Sequence, residues 1–482
     1  MHKTSPILAQ GAALTAEIAV WEDDPMSVSE AYTIRVPAPE LDTSPLAIKI
    51  VEDAPIPAIY VPGTSEFRYW TTAAALGRAV DYWRGLLPDV TDWEVGPILP
   101  VRLDAGEDLN AYYSRDEDQK GLSFFHDTIN GQIIYSGESS DTVCHEVGHA
   151  ILDTIRPELY DAASDEIAAF HESFADISAL LADLQIKSLR EAVLVETNGD
   201  LHRSSRLSRL AEQLGWALRL VNPDRAGPDC LRNAVNSFVY QDPTLLPLSG
   251  PNATLTSEPH SFSRVFTGGF FEALASMITL QPLAPTESDL LQASQDAGRL
   301  LVAALQRAPA ASDFYSQVAT HMLEADRLLF GRKYNTVLTS AFVRRGILSL
   351  EETAEISSRL SSPVMAGRAM VTPERNAFPE LSQVTLSATH YGLRSNTLLV
   401  SIPGEAKRLS TVATTPKLGM IASPSAEKVA KSFVDDLFQR GKVDVGKFAD
   451  MRIGMVHPTV RHKTHKLIQT PKGIMLTRTL FQ

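Results

Sequence analysis

The sequence predicts an α+β fold with a mostly helical middle and β-rich segments towards both ends. Apolar residues recur at helical spacing over 70–87 and through most of 205–347. Short β-branched runs instead precede residue 60 and follow residue 380. The 482 residues exceed one ordinary domain, and a hydrophobic content of 44% is enough for a substantial core.

A β-rich extension is predicted over 1–62, with AYTIRV and LAIKIV as its strand candidates. The first helix is predicted from Trp70 to Leu87, because Pro88 ends the helical spacing. Short strand candidates follow at 97–103, 109–114 and 131–136. These elements begin a mixed lobe predicted over 63–185.

Two long helices complete that lobe. The first extends to about Ile155 and the second to about Leu184. Each is preceded by side chains that can accept hydrogen bonds from the free N–H groups of a helix start. These capping candidates are Ser139, Ser140 and Asp141 for the first helix, and Ser164 and Asp165 for the second.

A helical lobe is predicted over 186–348, interrupted by a loop region rich in Pro, Asn and Ser at 222–260. An α/β extension is predicted over 349–482. It contains strand candidates in LSQVTLSATHYGL and NTLLVSIP, a helix near 425–439 and a hairpin around Pro471–Gly473.

Charge and composition narrow the function classes. The net charge of −14 argues against nucleic acid as the main partner, because phosphate binding needs a basic surface. No uninterrupted apolar run indicates a membrane span. The N-terminal residues make a poor signal peptide, so a cytoplasmic protein is the default expectation and secretion the alternative. Cys144 and Cys230 favour separate thiols over a single bridge.

The strongest motif is His145-Glu146-Val147-Gly148-His149 on the first long helix. Histidines at i and i+4 lie on one helical face, so both imidazoles can reach one ion. Glu146 beside them can accept a proton from a metal-bound water. The pattern also arises by chance, so a metal site needs a further ligand.

The second long helix supplies that ligand. Glu172 and Asp176 share one face of the segment AFHESFADISALL. Glu172 completes a His₂Glu set that leaves a fourth position for water, and Asp176 can accept the N–H of a ligating imidazole. Both acids could instead decorate a solvated face, but the aromatic and aliphatic residues around them indicate a helix packed in a core. The sequence therefore predicts a Zn²⁺ site at His145, His149 and Glu172.

Other classes with this motif fit less well. The metzincin continuation requires Gly at 152 and His at 155, where this chain has Leu152 and Ile155. The GxMEN segment that zinc aminopeptidases carry upstream is not found in the sequence. Membrane-bound proteases with the same motif would bring membrane spans, which are not indicated either.

Four further segments stand in a fixed order around the motif. Asn110-Ala111-Tyr112-Tyr113 precedes it, and Tyr160 lies in PELY between the two helices. Arg232 lies in CLRNAVNSFVYQDP, and His260 lies in PHSFSRVFTGGFFEAL. In this order they resemble segments of the thermolysin-like zinc metallopeptidases (M4-like, gluzincins), over roughly 65–348.

The resemblance implies a two-lobed zincin fold, with a mixed β/α lobe that carries the active-site helix and an α-helical second lobe. It implies a Zn²⁺ enzyme that hydrolyses internal bonds of peptide or protein substrates. It also implies roles for particular residues: Glu146 as general base, Tyr160 and His260 as oxyanion donors, and Asn110, Ala111 and Arg232 as residues that align the peptide.

The sequence departs from the family pattern in two places. Leu255 stands where the family has an Asp that orients the oxyanion histidine, so Glu258 or a backbone carbonyl would have to replace it. Asp141 and Asp183 stand where calcium ligands are expected, but the dense run of further acids is missing. Calcium is therefore an alternative without further support in the sequence.

Plainer interpretations stay open. Arg232 could pair with Asp229 or Asp242, and the fold could be a zinc-bearing binding module that no longer cuts peptides. A peptidase of narrow specificity could instead mature one partner protein. Residues 451–482 carry six Lys or Arg and no acid, so this tail could dock an acidic partner or form a solvated hairpin.

Overall fold

The computed structural model describes residues 16–89, 91–280, 284–361, 380–406, 424–450 and 462–481. Helices and several sheets are both present, in agreement with the predicted α+β class. Among the described residues, no helix is both long and apolar enough to cross a membrane. The signal-peptide prediction falls mainly on 1–15, outside the described residues.

The N-terminal extension contains β1 (Glu17–Trp21), β2 (Thr33–Pro37) and β3 (Ala47–Ile50). β1 and β2 form an antiparallel pair. The strand candidates AYTIRV and LAIKIV correspond to β2 and β3. The next element, α1 (Ser65–Arg84), begins before the predicted Trp70, because the side chain of Thr64 caps it by accepting a hydrogen bond from the N–H of Phe67.

The largest sheet of this region contains β4 (Ile98–Arg102), β5 (Ala111–Ser114) and β6 (Gly121–Phe124). β5 pairs antiparallel with β6, and β4 pairs parallel with β6. β3 pairs parallel with β4, so a strand that the sequence assigned to the N-terminal extension belongs to this sheet. A separate hairpin follows, formed by β7 (His126–Ile129) and β8 (Gln132–Tyr135).

The two predicted long helices are α2 (Ser140–Ile155) and α3 (Asp165–Asp183). Ser139 and Ser164 cap them, since each side chain accepts a hydrogen bond from a backbone N–H of the first turn. Every residue of α3 is buried. α3 is therefore a core helix, and its acids do not lie on a solvated face.

The two helices approach closely because residue 148 is a glycine. A Cβ atom at Gly148 would lie 2.7 Å from Ala175 Cα and 2.8 Å from Ser178 Cβ, both on α3. Such separations are shorter than van der Waals contact, so a larger side chain would force the helices apart. The glycine of the His-Glu-Val-Gly-His motif thus sets the distance between the two helices.

A helical region follows, as predicted for 186–348. Its helices are α4 (Lys187–Thr197), α5 (Glu212–Val221), α6 (Pro259–Ile278), α7 (Glu287–Leu305), α8 (Phe314–Phe330) and α9 (Asn335–Arg344). α10 (Leu350–Ser361) follows within the extension predicted over 349–482. β9 (Arg209–Leu210) and β10 (Arg232–Asn233) form a short antiparallel pair within it. Glu258 caps α6 by accepting a hydrogen bond from the N–H of Ser261.

The C-terminal region is a second sheet packed against one helix. Its elements are β11 (Ser382–Ser387), β12 (Thr397–Ile402), α11 (Ala426–Gln439), β13 (Val443–Asp444), β14 (His465–Thr470) and β15 (Gly473–Arg478), and the strand order is β11-β12-β15-β14-β13. The predicted hairpin at 471–473 joins β14 to β15. Its buried apolar residues form a core that also includes Ala163 and Ala168.

After β15 the chain returns to the sheet that contains β3, β4, β5 and β6, which is called the first sheet below. β16 (Leu480–Phe481) pairs antiparallel with β5, which gives that sheet the order β16-β5-β6-β4-β3. The described part of the basic tail is not a free hairpin, because β15 pairs with β12 and β14 pairs with β13. Nζ of Lys466 lies 2.6 Å from Oδ2 of Asp116. The rest of the predicted tail, 451–461, lies outside the described residues.

Candidate metal centre

The three predicted ligands converge on one point. Nε2 of His145 lies 3.4 Å from Oε2 of Glu172, and Nε2 of His149 lies 3.6 Å from the same oxygen. The two imidazole rings are 4.8 Å apart and nearly perpendicular. All three side chains are buried. Two helices that are separate in sequence therefore present three donor atoms to one volume.

These residues fit a tetrahedral metal ion. Zn²⁺ ligand bonds of about 2.0–2.1 Å separate neighbouring donor atoms by about 3.3 Å, close to both measured separations. Glu172 Oε2 and both ring nitrogens of His149 are buried and make no hydrogen bond within the described residues. Buried polar atoms normally have partners. A cation bound by these atoms would supply the partner that Glu172 Oε2 and His149 Nε2 lack.

The carboxylate of Asp176 orients the first ligand. Its Oδ1 lies 2.9 Å from Nδ1 of His145, so an Nδ1–H donor leaves Nε2 of that ring free for an ion. Nε and Nη2 of Arg232 bind the same carboxylate, at 3.0 Å and 2.6 Å. Burial alone would raise the pKa of Asp176, but Arg232 and His145 lower it to about 2. Arg232 therefore pairs with neither Asp229 nor Asp242, its sequence neighbours.

Glu146 places a second carboxyl group beside the three predicted ligands. It is buried, and its Oε2 makes no hydrogen bond within the described residues. Burial raises its pKa to about 8. General acid–base groups work best when their pKa lies near the working pH. Glu146 follows His145 on α2, as the motif predicts.

The histidine predicted for the oxyanion also lies at the centre. Nε2 of His260 is 3.2 Å from Oε2 of Glu172, and its Nδ1 is 2.8 Å from Oε1 of Glu258. Glu258 thus occupies the orienting position that the sequence left open after Leu255. Burial would lower the pKa of His260, but Glu172 and Glu258 raise it above its ordinary value.

No protein-family model matches this chain, and no curated protein is significantly similar to it. The thermolysin-like resemblance therefore depends on the motif residues of the sequence alone.

The segment predicted to align the peptide lies at the start of β5. Asn110, just before it, is mostly buried, and its Nδ2 makes no hydrogen bond within the described residues. Its Oδ1 accepts a hydrogen bond from the N–H of Ala111 at 2.9 Å. Asn110 therefore has one amide donor without a partner beside β5.

Tyr160, predicted as an oxyanion donor, has its hydroxyl bonded within the chain. Its hydroxyl donates a 2.7 Å hydrogen bond to the carbonyl of Thr479 and accepts one from the N–H of Arg115. Its ring packs against Phe481, which also stacks on His149. The hydroxyl is thus occupied by the C-terminal residues, and sequence reasoning gave no indication of this.

A second group of carboxylates lies beside α2 and α3, and the sequence reasoning found only part of it. Asp141 and Asp183 were recognised as calcium-ligand candidates. The structure adds acids from the N-terminal extension and from α5, so that the buried group contains Asp23, Asp24, Asp141, Asp183 and Glu212. The acidic run at 22–24 was the signal in the sequence that could have revealed it.

This carboxylate group has the donor chemistry that a calcium ion takes. Oδ2 of Asp23 and Oε2 of Glu212 are buried and make no hydrogen bond within the described residues. Burial raises the pKa of Asp23 to about 8 and that of Glu212 to about 10. Arg78 compensates part of the negative charge, since its Nη2 lies 3.0 Å from Asp183 Oδ1.

Proposed function

We propose that this protein is a zinc-dependent endopeptidase of the thermolysin-like kind. The observation that carries the proposal is the convergence of the His145 and His149 Nε2 atoms on one carboxylate oxygen of Glu172, at 3.4 Å and 3.6 Å. Glu146 follows His145 on α2, and Nε2 of His260 lies 3.2 Å from Oε2 of Glu172. In the proposed two-lobed arrangement, the sheet with α2 forms the first lobe and the helices after α3 form the second.

Zn²⁺ bound by His145, His149 and Glu172 would supply Lewis acidity and an acidified water. Glu146 would accept the proton of the attacking water on Oε2, the atom that has no partner here. The same carboxyl group would then deliver the proton to the departing nitrogen. Asp176 would keep Nε2 of His145 directed at the ion throughout.

His260 would stabilise the oxyanion that develops on the scissile carbonyl. Its raised pKa favours the charged imidazolium, and Glu258 fixes the ring through Nδ1. Such a donor contributes about 10²-fold to 10³-fold in rate. Tyr160 would add a second donor once its hydroxyl leaves the Thr479 carbonyl.

The peptide would lie antiparallel to β5, whose backbone N–H and C=O groups on this side would pair with it once β16 leaves Tyr113 and Ser114. Asn110 would align the peptide on the leaving-group side, where its Nδ2 could donate a hydrogen bond to a substrate carbonyl. Arg232 would face a substrate carbonyl while Asp176 holds two of its nitrogens. β5, Asn110 and Arg232 would together fix the orientation of the substrate. Such positioning contributes a large part of the rate increase of an enzyme over the reaction in solution.

The decisive experiment compares zinc content and peptide hydrolysis in two variants. Glu146→Gln is expected to keep stoichiometric zinc and to lose hydrolysis of casein or a quenched-fluorescence peptide. His149→Ala is expected to lose both. Chelation should abolish wild-type turnover, and added zinc should restore it. Undiminished cleavage by Glu146→Gln would contradict the proposal.

The alternative is a zinc-bearing binding module without turnover. It is favoured by one observation, the occupation of β5 and Tyr160 by the C-terminal residues. Zinc at full stoichiometry without turnover on any unfolded protein, even after those residues are displaced, would support it. A peptidase that matures one partner protein would instead cleave that partner and few other substrates.

A further inference from the structure

The end of the chain adds a strand to the edge that the proposed function assigns to substrate. Leu480 is opposite Ser114 and Phe481 is opposite Tyr113 in the antiparallel pairing of β16 with β5. The carbonyl of Thr479 accepts two hydrogen bonds, from the hydroxyls of Ser114 at 2.8 Å and Tyr160 at 2.7 Å. Backbone pairing of this kind is how extended peptides bind to a sheet edge.

The ring of Phe481 lies against the metal centre. It stacks on His171 with a centroid distance of 3.9 Å and on His149 with a distance of 5.1 Å. Only 2% of Phe481 is exposed. The guanidinium of Arg478 lies 4.0 Å from the centre of the same ring. Phe481 thus covers two buried histidine rings, one of them a proposed zinc ligand.

Specific polar contacts fix this segment in place. Nε of Arg478 donates to the carbonyl of Tyr160 at 3.0 Å, and the backbone N–H of Arg478 donates to Asp161 Oδ1 at 2.8 Å. The N–H of Thr479 donates to the carbonyl of Thr464 at 2.8 Å. The segment is therefore held both by the loop between α2 and α3 and by the C-terminal region from which it emerges.

The pairing covers one half of the β5 edge. It ends at Tyr113, and the strand direction points from there towards Ala111 and Asn110. A peptide continued in the same register would place its next units opposite Tyr112 and Ala111. In the proposed function the segment therefore lies where the residues before a scissile bond would lie, and it runs towards Asn110.

We propose that Arg478–Phe481 is an internal occupant of the peptide cleft, which binds as the acyl-side half of a substrate and blocks hydrolysis until it is displaced. The proposal rests on the proposed peptidase function. It also assigns a substrate class: extended peptides with an aromatic residue at the position of Phe481. Displacement would free both the β5 edge and the hydroxyl of Tyr160.

A reversible crosslink tests the block directly. Ser114 and Leu480 are cross-strand partners, whose Cα atoms are about 4.5–5.5 Å apart in antiparallel pairs, within the range of about 4.4–6.8 Å that disulfides span. In Ser114→Cys/Leu480→Cys, oxidation should abolish peptide hydrolysis and reduction should restore it. The single-cysteine variants under the same oxidation are the matched controls, and mass spectrometry verifies the bond. Equal kcat/KM in the oxidised and reduced forms would overturn the proposal.

The second arm releases the segment and measures binding without hydrolysis. Phe481→Ala should raise kcat/KM about tenfold, mainly through KM, because a larger fraction of molecules has an open cleft. A fluorescent peptide with the sequence GIMLTRTLFQ should bind Phe481→Ala protein more tightly than wild type, and GIMLTRTLAQ should bind neither. Equal binding of GIMLTRTLFQ to both proteins would overturn the proposal.

These two arms separate this proposal from the proposed function. If no form of the protein hydrolyses peptides, the peptidase proposal fails, and the peptide-binding comparison still decides whether Phe481 occupies the cleft. If hydrolysis occurs with unchanged kcat/KM in Phe481→Ala and in the crosslinked protein, the peptidase stands without an internal occupant.

Discussion

Nδ1 of His145 lies 2.9 Å from Oδ1 of Asp176, one helical turn beyond the third proposed ligand Glu172. Nε and Nη2 of Arg232 donate hydrogen bonds to the same carboxylate. The carboxylate therefore connects a proposed zinc ligand to a proposed substrate-binding residue, so a change at Asp176 should affect both metal affinity and substrate binding.

Asp176→Asn should weaken zinc binding about 10-fold to 100-fold, because the imidazole loses its charged acceptor. KM should rise as well, since Arg232 loses its anchor. Competition with a chelator of known affinity measures the first effect. Asp165→Asn is the matched control, a buried acid at the start of the same helix. An equal loss of zinc affinity in Asp165→Asn would contradict a specific role for Asp176.

Gly148→Ala should destabilise the protein and weaken zinc binding together. The added Cβ meets Ala175 and Ser178 at 2.7 Å and 2.8 Å, so α3 must shift and carry Glu172 away from the two imidazoles. Overpacking of this kind costs about 1–3 kcal/mol of unfolding free energy. Thermal unfolding and zinc titration give both quantities.

The control for that substitution is Gly85→Ala, at the exposed end of α1. A Cβ there would be no closer than 3.4 Å to any atom outside its own immediate neighbourhood. Zinc affinity should be unchanged in Gly85→Ala. Normal zinc affinity in Gly148→Ala would show that the α2–α3 distance does not control the centre.

His260→Ala should lower kcat by about 10²-fold to 10³-fold, because one oxyanion donor is lost. Glu258→Gln should lower kcat by a smaller factor, since the ring keeps a hydrogen-bonding partner and α6 keeps an acceptor for the N–H of Ser261. Steady-state kinetics with zinc-loaded protein measures both. His202→Ala, at an exposed histidine, should leave kcat unchanged. A larger effect of Glu258→Gln than of His260→Ala would contradict the assignment.

The buried carboxylate group predicts an unusual dependence of stability on pH. Burial raises the pKa of Asp23 from 3.8 to about 8, and the pKa values of Asp24, Asp141, Asp183 and Glu212 are raised too. The folded state then keeps protons that the unfolded chain releases. Between about pH 4 and pH 8, the unfolding free energy should therefore fall as pH rises, by about 1.4 kcal/mol per pH unit for each extra proton.

Calcium should reverse this fall in the unfolding free energy, because a divalent cation bound by ionised carboxylates stabilises only the folded state. Without calcium, the Tm should fall from about pH 5 to about pH 8. Millimolar calcium should raise the Tm most at the higher pH. Asp23→Asn should flatten the pH dependence and reduce the calcium effect, while Glu30→Gln, exposed on the same extension, should change neither. A Tm that rises over this range in calcium-free buffer would contradict the prediction.

Local sequence rules account for the helices that carry the centre. Histidines four residues apart share a face in any α-helix, and Ser139 and Ser164 cap their helices as expected. The predicted start of α1 was wrong. It was taken from the apolar spacing, whereas the capping side chain of Thr64 determines where the helix begins. Capping and periodicity act within a few residues, so the sequence displays them directly.

Long-range pairing could not be obtained from those rules. Arg232 binds Asp176 on a distant helix, although Asp229 and Asp242 stand nearer in the chain. The partners of Asp141 and Asp183 come from the N-terminal extension and α5. The pairing of β16 with β5 joins residues more than 360 positions apart. Tertiary packing selects such partners, and no local pattern encodes the selection.

The first sheet draws its two outermost strands, β3 and β16, from outside the region that carries the motifs. In a shortened recombinant protein restricted to 65–348, β4 and β5 would become unpaired edge strands. Their free backbone N–H and C=O groups would pair with strands of neighbouring molecules. Such a fragment should precipitate during purification, and the two distant ends of the chain should be retained in any version prepared for crystallisation or assay.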